Sequence, residues 1–223
     1  MTVPSPAEPA AASVAAIDAA WIRRALRDAR LAVDRHASAL TRLDAVLGDG
    51  DHGDNLATGF RSIEALLDEL PPDLPPGELL KAVGYRLVAT VGGASGPLYG
   101  TALIEAGFRA GARETLDPAV IAEMLDVGAA GLARRGRCAV GDKTILDTLR
   151  PAADAYAAAV APGGSASEAV LAAVRAARRG ARSTRPLVAR RGLALRLGAR
   201  SAGHLDPGAV SCLVLLVAAG RTR

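Results

Sequence analysis

Residues 36–70 read HASALTRLDAVLGDGDHGDNLATGFRSIEALLDEL, a helical pattern interrupted once by an acidic, glycine-rich stretch. In its first part, 36–47, Leu40, Leu43 and Leu47 lie on one stripe of a helix. The next eight residues, GDGDHGDN at 48–55, contain three glycines and do not comfortably continue a helix. A helical pattern then resumes over 56–70 and stops at a pair of prolines. The stretch therefore predicts two helices joined by an acidic, glycine-rich loop.

Helical patterns continue on both sides of this stretch. Over 15–35, the apolar residues Ile17, Trp21, Ala25 and Ala29 recur at every fourth position, which is typical of an amphipathic helix. Clean alternation of apolar and polar residues is absent, so strands are not expected. Further helices are predicted at 77–91, 99–112, 118–135, 144–160, 166–182 and 207–219.

The composition agrees with a helical protein. Half of the 223 residues are hydrophobic but only 3% are aromatic, so the core must be filled with Ala, Leu and Val. Ala and Leu lose little conformational freedom in a helix. We therefore predict an all-α, up-and-down bundle of about eight helices over 15–223, preceded by a disordered Pro- and Ala-rich tail at 1–14.

Charge and cysteine content exclude several classes of protein. The net charge is +4, but no Lys/Arg block is longer than two residues and few aromatics are present to stack on bases, so no nucleic-acid partner is expected. Cys138 and Cys212 are interpreted as free thiols of a reducing compartment. The longest apolar run, 209–219, is about half of the roughly 20 residues that a membrane span needs. Without a recognisable signal peptide, the sequence predicts a cytoplasmic protein with no membrane contact.

Four connections combine glycine with Asp, Ser or His instead of being short polar turns. They are residues 48–55, 92–100, 141–144 and 198–208. In an up-and-down bundle, alternate connections lie at the same end. We therefore expect these loops to form a site at one rim of the bundle.

The first loop carries the strongest signal for chemistry. Asp44, Asp49, Asp51 and Asp54 lie within eleven residues, and carboxylates this close repel one another unless a cation neutralises them. Clustered oxygen ligands suit Mg²⁺ or Ca²⁺, although the loop lacks the glycine and glutamate of an EF-hand. The alternative is a solvated acidic turn in which Asp54 or Asn55 caps the next helix.

The other loops are less specific when taken singly. VGGASGPLYG is not a P-loop, but it can present backbone N–H groups to an anion, or equally form a tight interhelical turn. Asp142 is predicted to be an N-cap, and Asp206-Pro207-Gly208 has the pattern of a helix start. His204 fits a surface residue as well as a ligand contact, and His36 is interpreted as structural. No strand–turn–helix context supports a nucleophilic serine.

Taken together, the motifs LDAVLGDGDHGDN, VGGASGPLYGT, GDKTILDTL and LGARSAGHLDPGA resemble the ADP-binding L subunit of dihydroxyacetone kinase. The resemblance runs in order from about residue 15 to the C-terminus. It implies an eight-helix antiparallel barrel, with ADP or ATP and two Mg²⁺ ions at one end. The metal ligands implied by position are Asp44, Asp49 and Asp51. The implied nucleotide contacts are His52, Gly53, Asp54, Asn55, Ala94, Ser95, Gly136, Ile145, Asp206, Pro207 and Gly208.

One position departs from the family pattern. Many relatives have Gly-Arg-Ala where this chain has Gly192-Leu193-Ala194, so a nucleotide-contacting arginine is replaced by Leu193. Arg191 and Arg196 are the nearby candidates to replace it.

The resemblance also implies a reaction and its partners. Phosphoryl transfer needs charge neutralisation and fixed geometry, and Mg²⁺ ions on carboxylates supply both. The acceptor, dihydroxyacetone or a related short ketose, is implied to be held on a separate K subunit. Either ATP exchanges as a substrate, or bound ADP is rephosphorylated by a phosphotransferase-system protein.

Three other functions remain as alternatives at this point. One is a non-catalytic, ADP-sensing partner of a transcription regulator, and another is the L-like domain of a fatty-acid kinase system. The third is a helical interaction module whose acidic loop is incidental.

Overall fold

A computed structural model describes residues 17–161 and 165–222. The predicted tail at 1–14 lies outside the described residues, as do the first two positions of the first predicted helix. The helical prediction is confirmed over the described ranges, which contain eight α-helices, one 3-10 helix and one two-stranded sheet. The α-helices are α1 (Ala19–Leu47), α2 (His52–Glu69), α3 (Pro76–Thr90), α4 (Ser95–Ala110), α5 (Pro118–Gly136), α6 (Leu146–Val160), α7 (Ala166–Ser183) and α8 (Pro207–Ala219). The 3-10 helix is Leu193–Ser201, and the strands are β1 (Ile17–Asp18) and β2 (Thr115–Leu116).

The eight helices form a closed ring. Each helix contacts the next one along the chain, and α8 contacts α1, so the first and last helices complete the barrel. The short antiparallel pair of β1 and β2 places Ile17 opposite Leu116. Because consecutive helices reverse direction, the α1–α2, α3–α4, α5–α6 and α7–α8 connections lie together. We call this end of the barrel the loop end.

The interior is filled mainly by aliphatic side chains, as the composition predicted. Leu56, Val33, Leu79 and Leu132 are fully buried, and alanines fill much of the remaining contact surface. Small residues let some helices approach closely. A Cβ on Gly100 of α4 would lie 2.6 Å from the Gly84 carbonyl oxygen of α3.

Several predicted boundaries are wrong. The two helices predicted at 15–35 and 36–47 are one helix, α1, because no Gly or Pro interrupts the chain there. α2 begins at His52 and not at residue 56, so 52–55 form its first turn and neither Asp54 nor Asn55 is its N-cap. The small β1–β2 sheet was not expected.

The helix-start predictions had mixed outcomes. Asp206 caps α8, since its Oδ2 accepts a hydrogen bond from the backbone N–H of Ala209 at 2.7 Å. Asp142 is not an N-cap, because α6 begins only at Leu146. The carboxylate of Asp147 accepts the N–H groups of the preceding turn in its place.

Every helix within residues 17–161 and 165–222 is too short or too polar to cross a membrane.

Candidate functional site

The carboxylate of Asp44 organises the acidic loop. Asp44 lies in the last turn of α1 and is largely buried. Its Oδ2 accepts hydrogen bonds from the backbone N–H groups of Gly50 at 3.0 Å, Asp51 at 3.0 Å and His52 at 3.2 Å. Gly50 has a φ of 77°, a conformation that glycine adopts without strain. The loop therefore wraps around one oxygen of Asp44 and turns directly into α2.

The second oxygen of Asp44 faces Gly48. A Cβ at position 48 would collide with Oδ1, so only glycine leaves that oxygen accessible. Because Oδ2 is occupied by three N–H donors, Oδ1 is the oxygen left for a ligand.

Two exposed carboxylates complete a group with Asp44. One oxygen each from Asp44, Asp49 and Asp51 lie within 4.8 Å of one another. Asp54, the fourth carboxylate of the sequence cluster, is not a member of this group. Three clustered carboxylate oxygens, with one held in place by backbone donors, fit a hard divalent cation such as Mg²⁺.

His52 ties three helices together at the loop end. Its Nδ1 lies 3.0 Å from Ser95 Oγ of α4, and its Nε2 lies 2.9 Å from Ser211 Oγ of α8. The hydroxyl of Tyr99 lies 2.7 Å from the same Ser211 Oγ. Burial lowers the pKa of His52, against the opposing charges of Asp44 and Asp51, and this favours the neutral ring. Both ring nitrogens are thus used inside the protein.

The glycine-rich loop ends at the N-terminus of α4. Ala94 is the N-cap, and no side chain accepts a hydrogen bond from the first turn there. Gly93 has a φ of 64°, and nothing lies within 4 Å of where its Cβ would be, so the loop is open at this point. Free N–H groups at a helix N-terminus favour an anion. Anion binding at Ala94 and Ser95 stays a prediction, which an open helix N-terminus permits.

Asp147 and Lys143 shape the third loop from inside. Asp147 is 2% exposed, and its two oxygens accept the N–H groups of Gly141 at 2.6 Å and Thr144 at 2.7 Å. Lys143 is 1% exposed, and its Nζ donates to the carbonyl oxygens of Thr184, at 2.7 Å, and His204. The buried ammonium of Lys143 thus links the third loop to the C-terminal end of α7, through Thr184, and to the fourth loop, through His204.

The buried carboxyl group of Asp206 interacts electrostatically with the ammonium of Lys143. Burial raises the pKa of Asp206 to about 7, although the N–H of Ala209 and the ammonium of Lys143 act in the opposite direction. Burial also lowers the pKa of Lys143, while Asp206 and Asp147 oppose that shift.

The structure brings the sequence-predicted residues together at the loop end. The first and second loops meet α8, the helix that follows the fourth loop, through His52, Ser95 and Ser211. The third and fourth loops meet where Lys143 Nζ donates to the His204 carbonyl oxygen. Just after the third loop, Ile145 Cγ1 would lie 2.7 Å from a Cβ on Gly208. Gly136, at the end of α5, is adjacent to Leu98 in the first turn of α4.

The residues around Leu193, the position that departs from the family pattern, lie on the surface. Leu193 is 40% exposed at the start of the 3-10 helix. Arg191 pairs with Asp142 of the third loop, with Nε 3.4 Å from Oδ2, while Arg196 is exposed.

Four residues of this site were missed by sequence reasoning: Lys143, Asp147, Tyr99 and Ser211. A signal existed for Lys143, which is one of two lysines among 27 basic residues. A compact ammonium can be buried against carbonyl groups where a guanidinium would not fit. The other three had no local signal, because their partners come from distant parts of the chain.

The fold and the site define a class of protein: an all-α helical barrel with a carboxylate cluster and a glycine-rich helix start at one end. Residues 46–220 match the DAK2 domain, and the chain belongs to that family.

Relatives in this family include kinase subunits of similar length. The chain is 39% identical over 203 residues to the ADP-binding subunit DhaL of PEP-dependent dihydroxyacetone kinase 2 from Listeria innocua, covering 90% of this chain and 93% of that protein. It is 39% identical over 179 residues to the corresponding DhaL subunit from Escherichia coli K12, covering 79% and 84%. Its relatives are named as kinases, and the chain is a phosphotransferase component.

A solved structure shows the same fold within a longer chain. The dihydroxyacetone kinase of C. freundii in complex with AMP-PNP and Mg²⁺ matches with a TM-score of 0.69 and 26% identity. The match covers 98% of this chain but only 37% of that one.

Proposed function

We propose that this chain is the nucleotide-binding subunit of a kinase that phosphorylates dihydroxyacetone or a related short ketose. It carries ADP or ATP with Mg²⁺ at the loop end, and a separate K subunit holds the ketose. Relatives that match nearly their whole length are named as ADP-binding subunits of dihydroxyacetone kinases, which supports this division.

The cluster of Asp44, Asp49 and Asp51 is the observation that carries the proposal. These carboxylates would hold two Mg²⁺ ions, which supply charge neutralisation to the transferring phosphoryl group. The backbone donors on Asp44 Oδ2 fix the carboxylate before any ligand arrives, so little ordering cost remains on binding.

The remaining predicted contacts surround this cluster. The open α4 N-terminus at Ala94 and Ser95 would accept phosphate oxygens. Gly136 and Ile145 would flank the base. The first turn of α2 (His52, Gly53, Asp54 and Asn55) and the start of α8 (Asp206, Pro207 and Gly208) would line the nucleotide.

The proposal also concerns the donor of the phosphoryl group. The stand-alone relatives from Listeria and Escherichia are named PEP-dependent, and one from Lactococcus lactis is named PTS-dependent. This favours rephosphorylation of bound ADP by a phosphotransferase-system protein over exchange of ATP.

Thermal unfolding tests the nucleotide and metal assignment. A ligand that binds only the native state raises stability by about 2.7 kcal/mol at a hundredfold excess over Kd. We therefore expect the melting temperature to rise with ADP and Mg²⁺ together, and to return to the apo value when EDTA is added. Asp49→Asn should abolish the rise, whereas Asp73→Asn, an exposed carboxylate between α2 and α3, should preserve it. A melting temperature that is unchanged by Mg-ADP would contradict the proposal.

A further inference from the structure

The chain from α7 to the start of α8 has an unusual charge. From residue 169 to residue 205 there are nine of the 27 basic residues, all arginines, and none of the 23 acidic residues. The arginines are spaced singly or in pairs, so no long basic block marks them in the sequence. We call residues 182–200, which include the 3-10 helix, the arginine segment.

The charges of the arginine segment point outward. All six of its arginines are exposed: Arg182, Arg185, Arg190, Arg191, Arg196 and Arg200. Among the described residues, Arg191 pairs with Asp142, and the other five have no carboxylate partner. Six like charges in so short a stretch repel one another, and an acidic partner would relieve this repulsion.

Apolar side chains are exposed between these arginines. Val188 is 44% exposed and Leu195 is 54% exposed, and Leu193 is similar. A surface that combines arginine with exposed aliphatic residues and lacks acidic groups has the composition of a protein–protein interface. Nucleic-acid surfaces favour aromatic side chains beside the basic ones, and the arginine segment contains none.

The backbone of the arginine segment is held in place. The N–H of Arg190 donates to the Asp142 carbonyl oxygen at 3.1 Å, and the N–H of Gly203 donates to the Arg185 carbonyl oxygen at 2.7 Å. Ser201 Oγ accepts the N–H of Ala189 at 2.8 Å. The segment is therefore ordered before a partner binds, which reduces the entropic cost of association.

The arginine segment also borders the loop end. It is joined to the third loop through Asp142 and leads directly into Asp206 at the start of α8. A subunit that presents an acceptor to the nucleotide must approach this same end of the barrel.

We propose that the arginine segment is the docking surface for an acidic face of the ketose-bearing K subunit. This inference rests on the proposed function and adds to it the surface and the charge by which the two chains recognise each other. Complementary charge mainly accelerates association, and the effect weakens with salt.

Charge reversal of two arginines tests the docking surface. Arg190 and Arg200 flank the Ala189–Ser201 hydrogen bond, and their side chains do not belong to the proposed nucleotide contacts. We expect R190E/R200E to lower the affinity for the cognate K subunit by about tenfold or more at low ionic strength, mainly through slower association. The difference in K-subunit affinity between this variant and the wild-type chain should decrease at high ionic strength. The affinity for Mg-ADP should be unchanged.

R113E is the matched control, because Arg113 follows the C-terminus of α4 at the opposite end of the barrel from the loop end. It should bind the K subunit like the wild-type chain. Equal K-subunit affinity of R190E/R200E and wild type at low salt would overturn the docking proposal. A parallel loss of Mg-ADP affinity would also overturn it, because Arg190 and Arg200 would then belong to the nucleotide site.

Two further outcomes separate the docking proposal from its alternatives. Tighter binding of the wild-type chain to duplex DNA than to the K subunit, lost in R190E/R200E, would replace the protein partner by nucleic acid. Failure of the wild-type chain to respond to Mg-ADP in thermal unfolding would instead contradict the proposed function itself.

Discussion

At the scale of single residues, Asp44 combines two roles. Its Oδ2 is the acceptor for three backbone N–H groups, and its carboxylate is one of the three in the cluster with Asp49 and Asp51. Asp49 and Asp51 are exposed, and their side chains make no hydrogen bond within the described residues. The three carboxylates therefore differ in how much the fold depends on them.

We expect substitutions in the cluster to separate these roles. Asp49→Asn and Asp51→Asn should leave the free energy of unfolding without metal unchanged or slightly higher, because removing one charge relieves repulsion. Asp44→Ala should lower it by about 2–3 kcal/mol, because one buried and two part-buried N–H groups lose their acceptor. All three should lose Mg-ADP binding. Denaturant unfolding in EDTA measures the difference, and equal losses of stability for all three variants would show that the whole cluster is structural.

Asp206 provides a pH-dependent contribution to stability. Its pKa is about 7 in the folded chain against an ordinary value of 3.8, since burial disfavours the charged form. Between about pH 4 and pH 7 the folded chain therefore holds a proton that the unfolded chain has released. The contribution of Asp206 to the free energy of unfolding is fully present below pH 4 and is lost as the pH rises through 7.

Asp206→Asn should remove this dependence while still capping α8, because asparagine is a good N-cap. The difference in unfolding free energy between wild type and the variant should favour the wild type less as the pH rises from 4 to 7. Chemical denaturation at several pH values in EDTA measures it. If the unfolding free energies of wild type and variant changed with pH in parallel, the pH dependence would not come from Asp206.

At the scale of elements, the α3–α4 pair is held together by close backbone contact. A Cβ on Gly84 would lie 2.7 Å from the Gly100 carbonyl oxygen, and one on Gly107 would lie 2.6 Å from the Gly77 carbonyl oxygen. Glycines on both helices thus bring the two backbones together along most of their length. The pair carries Ser95 and the open N-terminus of α4 to the loop end.

Gly100→Ala should separate these helices. The gain in helix propensity, about 0.5–1 kcal/mol, is smaller than the cost of overpacking, so we expect a net loss of about 1–2 kcal/mol. Gly131→Ala in α5 is the control, because its Cβ would meet only the side chain of Glu105, which can move. Urea denaturation compares the two. Equal stability of both variants would show that the α3–α4 contact tolerates expansion.

At the scale of the whole molecule, closing the ring concentrates four loops at one end. Lys143 joins the third loop to residues 184 and 204, and His52 joins α2 to α4 and α8. The polar groups at this end are occupied by the proposed nucleotide and metal contacts or by bonds within the protein. That the four loops hold no ketose site, because the acceptor is held on another chain, stays a prediction.

The isolated chain should therefore not phosphorylate dihydroxyacetone. Mixed with a cognate K subunit and a phosphoryl source, either ATP or a phosphotransferase-system protein, it should form the ketose phosphate, and Asp49→Asn should stop the reaction. Product formation by the isolated chain would reveal an acceptor site on it. If no ketose phosphate forms with any K subunit and donor although Mg-ADP binds tightly, a regulatory role would be favoured.

The amino-acid sequence determined the features that depend on neighbouring residues. The helical periods, the Asp206-Pro207-Gly208 helix start and the acidic stretch at 44–54 all extend over a few turns of chain, although the structure leaves Asp54 outside the carboxylate group. Local propensity and side-chain spacing are therefore sufficient to predict them. The expectation that four loops share one end also followed from the sequence, because alternate connections of an up-and-down bundle must meet.

How those loops are held, and which of their groups remain available to a ligand, depends on the packing of the whole barrel. His52 and Ser211 are 159 positions apart, and Lys143 and His204 are 61 apart, so no local pattern predicts either contact. The same holds for burial: Asp147 and Asp206 become structural acceptors because the closed ring removes them from water. Desolvation and long-range hydrogen bonding are properties of the packed barrel, and they decide which polar atoms of the loop end already have a partner within the protein.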